Sequence, residues 1–132
     1  MQAVCLLIAG VLRATLPTQT FTLEWTHSIE KIQWRESYAV LGDRLALTGA
    51  RVEGMGAGME AGDGATFDGS GWRWKPSIAP LPEIILTLSP YTSDYRLCAG
   101  ASCRSLHAWA EVAPTTTAAV TVRPCAARSA AK

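Results

Sequence analysis

The apolar residues between Phe21 and Val40 change parity partway along. Phe21, Leu23 and Trp25 are odd-numbered, whereas Ile32, Trp34, Tyr38 and Val40 are even-numbered. Side chains alternate across a strand, so one regular strand cannot bury both sets on the same face. The change falls within Thr26-His27-Ser28-Ile29-Glu30-Lys31, which contains no Gly, Pro, Asn or Asp to make a tight turn. The expectation is therefore a bulge or bend in one long twisted strand, with a looser hairpin as the alternative. Phe21, Trp25, Ile29 and Ile32 also have near-helical spacing. The many β-branched residues and the alternating flanks argue against a helix.

Strand signals recur along the chain with turn residues between them. Val4 to Ile8 and Val11 to Leu16 flank Ala9-Gly10, and Leu41-Gly42-Asp43 separates the strand ending at Val40 from a return over Arg44 to Val52. Gly54 to Gly71 is glycine-rich. Gly71 to Lys75 reads as a short aromatic strand ended by Pro76, and Ile84 to Leu88 as an apolar strand with a Pro-rich entry. These short strands predict an all-β fold, a small sandwich or partly closed barrel of mostly antiparallel strands. A chain of 132 residues suits one domain, placed at 1–113. The Thr/Ala-rich segment 114–132 is expected to add one edge strand and then a frayed tail.

Charge excludes one class of partner. Twelve basic and eleven acidic residues leave a net +1, and the basic residues are scattered, so no field recruits nucleic acid. The apolar run from Ala3 to Leu12 is too short to span a bilayer and lacks a basic lead and a small-residue cleavage site. It is expected to be buried strand, and the lack of a clear signal peptide suggests a cytoplasmic address.

Few residues carry chemistry by pattern. His27 and Ser28 are neighbours and diverge in a strand, so they do not form a nucleophile–base pair; Glu30 or Glu36 is positioned to orient His27 instead. A hydrolase using His27 with Glu30 or Glu36 ranks last among the functions considered. Cys98 and Cys103 flank Ala-Gly-Ala-Ser and come within disulfide reach across a hairpin, which implies an oxidising compartment; two free thiols beside a turn is the competing reading. Together with Cys5 and Cys125 they permit three pairings. The spacing of Cys98, Cys103 and His107 fits no familiar zinc pattern, so neither metal nor other cofactor is expected, and His107 is placed on a strand. The run around Gly56, Ala57, Gly58 and Met59 misses both the dinucleotide and P-loop spacings and reads as a surface loop. Trp25, Trp34, Trp72, Trp74 and Trp109 suit a core, or a pocket for a hydrophobic or cationic small molecule whose identity the residues do not specify.

Two motifs together resemble a known family. Phe21, Leu23, Trp25, His27, Ser28, Ile29 and Glu30 match a Phe-x-Leu-x-Trp-x-His-Ser-Ile-Glu run, Glu36 follows in an aromatic strand, and Gly56-Ala57-Gly58-Met59 matches a Gly-Ala-Gly-Met run. The chain resembles bacterial domain-of-unknown-function family number 1850 over nearly its whole length. The resemblance implies no catalytic activity. It implies a non-enzymatic accessory or binding domain encoded beside TRAP transporters of the TAXI type, with the transporter membrane subunits or the TAXI-type solute receptor as partners and a periplasmic or membrane-peripheral location.

Overall fold

The computed structural model describes residues 2–26, 32–54 and 64–126. The strands are β1 (Gln2–Ile8), β2 (Val11–Leu16), β3 (Thr20–Thr26), β4 (Gln33–Leu41), β5 (Arg44–Glu53), β6 (Thr66–Phe67), β7 (Gly71–Trp74), β8 (Ile84–Leu88), β9 (Arg96–Ala99), β10 (Ser102–Ser105) and β11 (Ala118–Ala126). One helical turn, α1 (Leu106–Trp109), lies between β10 and β11. All the pairings are antiparallel. A four-stranded sheet has the order β2-β1-β11-β8, and a seven-stranded sheet the order β10-β9-β3-β4-β5-β7-β6. The two pack face to face as a sandwich and do not close into a barrel, so of the two expected all-β forms the sandwich is the one adopted.

The core lies between the sheets. Val4, Leu6, Leu16, Leu86, Leu88, Val120 and Val122 come from the smaller sheet. Phe21, Leu23, Tyr38, Leu45 and Leu97 come from the larger one, and Leu106 of α1 closes one side.

The parity change has a different cause from the one expected. β3 and β4 pair antiparallel, with Phe21 opposite Tyr38 and Trp25 opposite Trp34. The chain therefore reverses between Thr26 and Gln33, and the long bulged strand gives way to the hairpin. Residues directly opposite share a face. This register pairs odd with even positions, so both apolar sets reach the core. The bulges lie elsewhere. In β5, Ser37 opposes Gly49 and Tyr38 opposes Leu47, leaving Thr48 as the extra residue. That insertion changes parity within β5, so Leu45 and Val52 are both almost wholly buried. In β2, Arg13 is the extra residue opposite Leu6 and Leu7. Its guanidinium donates to the Ala110 and Glu111 carbonyls at 2.9 and 3.0 Å, closing the end of α1.

Two further expectations change. The Ala118–Ala126 run is no edge strand: β11 sits between β1 and β8 and belongs to the one sandwich. Pro124 is tolerated there because pairing with β8 stops at Val122, so the missing N–H leaves no gap on that side. His107 is helical rather than extended, because Ser105 caps the turn by accepting from the Ala108 N–H.

All four cysteines are bridged. Cys98 opposes Cys103 in the β9–β10 register and bonds to it, with Cα atoms 4.0 Å apart. Cys5 bonds to Cys125, joining the first and last strands with Cα atoms 5.9 Å apart. The local hairpin makes the first bridge readable from sequence; the second needs the β1–β11 pairing.

Candidate functional site at the aromatic end of the larger sheet

His27, Ser28, Glu30, Gly56, Ala57, Gly58 and Met59 lie outside the described residues. The strands leading into them are described, and they meet. Thr26 pairs with Gln33, Trp34 with Val52, and Glu53 with Gly71. The β3–β4 reversal and the exit from β5 are thus at one end of the larger sheet, on adjacent strands. The strand ends that lead into two motifs far apart in sequence are side by side.

Beneath those exits the remaining motif residues share the inner face. Trp25 stacks on Trp34 with ring centres 6.3 Å apart and tilts against Tyr95 at 5.7 Å. Trp34 meets the edge of Trp74 at 6.2 Å, and farther out Trp72 packs on Phe67 at 5.3 Å. Offset and edge-on contacts suit rings with negative faces and positive edges. The indole N–H groups of Trp34 and Trp72 are buried without an acceptor among the described residues. A groove of about 450 Å3 opens beside Trp25 and Tyr95, walled by Thr26, Thr87, Ser89 and Thr92.

Glu36 shares this inner face, opposite Leu23 and Ala50. It accepts a 2.8 Å hydrogen bond from the Tyr38 hydroxyl. Burial, then the Glu36 charge and that hydrogen bond, push the Tyr38 phenol far above its ordinary value. Burial and Glu36 raise Tyr95 too. Both phenols therefore stay neutral, and Tyr38 is the one that donates to Glu36 among the described residues. Aromatic faces with one carboxylate among them suit a hydrophobic or cationic group. Trp25, Trp34 and Glu36 are brought together; Glu36 was legible as a motif member but not as an inward-facing acid.

The other candidate ligands are occupied. Cys98 and Cys103 are bonded to each other. His107 is buried, with Nδ1 2.7 Å from Asp94 Oδ2 and Nε2 3.0 Å from the Thr116 carbonyl. Both partners accept, so the protonated imidazole, with an N–H on each ring nitrogen, satisfies both. Burial opposes that charge, but the Asp94 and Thr116 hydrogen bonds and the Asp94 charge outweigh it, raising the His107 pKa above its ordinary value. His107 thus ties α1 to the segments on either side of it.

The sheet order and core define an all-β sandwich domain. Within that class the chain belongs to the family described as Domain of unknown function (DUF1850), whose model matches residues 21–106. The match runs from β3 to the start of α1, taking in the whole larger sheet and β8 but not β1, β2 or β11. No curated protein and no solved structure matches the chain.

Proposed function

We propose that this chain is a non-enzymatic binding domain accessory to a TRAP-type solute uptake system. It engages the transporter membrane subunits or the TAXI-type receptor through the aromatic end of the larger sheet. The convergence of the β3–β4 and β5 exits beside Trp25, Trp34 and Glu36 carries this reading. The strand ends that lead into both family motifs lie beside one set of rings with an acid among them. The transporter link comes from the family resemblance. Two disulfides favour an oxidising compartment, in keeping with a periplasmic position. The test is co-purification from native membranes in mild detergent with the neighbouring transporter and receptor. Recovery of either, lost on His27→Ala in a variant that melts like wild type, is the expected result. Clean failure with folded protein overturns the reading.

A second reading, a small-ligand carrier, is favoured by the groove beside Trp25 and Tyr95. A hydrophobic or cationic compound seated there should shift tryptophan emission. Unchanged emission across a panel of such compounds counts against it.

A further inference from the structure

We propose that the outer face of the larger sheet holds a second site, independent of the aromatic end, for a small dianion presenting carboxylate or phosphate oxygens. The strand register creates it. Arg35 lies directly opposite Arg51, and Arg51 directly opposite Arg73, so three guanidiniums stand in a row across β4, β5 and β7. Like charges at directly opposed positions destabilise a sheet. Intramolecular compensation is partial. Asp68 accepts from Arg51 Nε at 3.0 Å and Arg73 Nε at 2.7 Å, and from the Ser70 and Gly71 backbone N–H groups. The Arg51 and Arg73 hydrogen bonds, with the backbone donors, hold its carboxyl far below the usual carboxylate range. Arg35 has Glu24 at 3.6 Å, and Glu24 also accepts from Gln33. Glu53 follows Arg51 on the same face.

Between these cations is a cleft of about 530 Å3 whose lining adds Lys75. The described lining includes four cations and no carboxylate: Asp68 and Glu24 reach the guanidiniums from outside it. Ser37 and Thr66 contribute hydroxyls, while the Thr48 hydroxyl donates to the Ser37 carbonyl at 3.1 Å. The floor is bare where Gly49 opposes Ser37, and a Cβ there would meet nothing within 4 Å. Planar guanidinium forks match the paired oxygens of carboxylate and phosphate, and Lys75 adds a mobile point charge. A doubly charged anion relieves the repulsion along the row as it binds, whereas a monovalent halide offers neither the charge nor the paired oxygens.

Isothermal titration of the full chain at low ionic strength, with malonate, inorganic phosphate and chloride in separate arms, tests this. Saturable one-to-one binding of malonate or phosphate is expected, with chloride inert. Arg35→Gln is expected to weaken binding about tenfold or more, the loss of one charge-assisted contact. Gly49→Val, filling the floor, should abolish it, and Lys75→Gln, at an exposed position, gives a second charge variant that leaves the sheet intact. Malonate alone or phosphate alone identifies the oxyanion class. Absence of saturable binding at millimolar concentrations, equal response to all three anions, or unchanged affinity in Arg35→Gln and Lys75→Gln overturns the site. Arg35, Arg51, Arg73 and Lys75 point away from Trp25 and Trp34, and Trp74, which lines the cleft and also touches Trp34, is left unchanged by every variant, so these outcomes are distinguishable from those of transporter co-purification.

Discussion

His107 and Asp94 set a measurable pH dependence. The imidazolium donates to two acceptors in the fold and to water in the unfolded chain. Its folded pKa is therefore the higher one. The stability it contributes is complete below about pH 6.5, the unfolded value, and is lost as pH rises through the folded value. Chemical denaturation from pH 6 upward should show this decline. Asp94→Asn should flatten it, and near pH 6 should cost about 1.5–3 kcal/mol, the range for a hydrogen bond to a charged group. A variant as pH-dependent as wild type would contradict the assignment. At the β1–β2 turn, Ala9 and Gly10 both have positive φ, 50° and 78°. Glycine takes that conformation without strain; alanine does not. Ala9→Asn should raise stability by about 0.5–1 kcal/mol, read as a higher denaturation midpoint. The turn itself is legible because Gly10 marks it. His107 was less so: a four-residue helix is too short to show periodicity, and its cap, Ser105, looks like any strand serine.

At the scale of elements, hairpins with a short local turn are the readable part of this fold. Cys98 and Cys103 face each other because one turn joins their strands, whereas Cys5 and Cys125 meet only because β1 pairs with β11 across a sequence separation of 120. Nothing local in the Thr/Ala-rich tail marks Val120 and Val122 as central. The β3–β4 reversal was visible as a parity change but lacked turn residues, so its hand-over looked like a bulge, while the true bulge at Thr48 has no composition signal. The arginine row is hidden for the same reason: Arg35, Arg51 and Arg73 become neighbours only through register. The two bridges differ in weight. Closing 120 residues restricts the unfolded chain far more than closing 5, about 5 against about 2 kcal/mol in the chain-entropy account. Denaturation of Cys5→Ser/Cys125→Ser and Cys98→Ser/Cys103→Ser should rank the first pair as the more destabilised. The reverse order would mean that strain or residual structure dominates.

For the whole molecule, the family match and the folding unit differ in extent. Residues 21–106 contain the larger sheet but lack three of the four strands that cover it. Phe21, Leu23 and Leu97, almost fully buried in the sandwich, would face water in that fragment. Expressed alone, 21–106 should lack a cooperative melt and be cut rapidly by protease, whereas 2–126 resists. A cooperative fragment would show that β1, β2 and β11 are dispensable. The all-β class was readable from alternation, but the strand count was not, since β3 and β4 read as one strand, and neither was which strand covers which, because pairings between distant segments leave no local pattern. The bridge between the first and last strands also has a mechanical meaning. Gln2 and Ala126 are register partners, so the chain enters and leaves the sandwich at one point. Tension applied there runs through the Cys5–Cys125 bond and bypasses everything folded between them. Under load the oxidised domain hangs like a pendant from a closed ring. Reduction turns the same 120-residue interval into slack, releasing about 400 Å of extended chain in a stretching experiment.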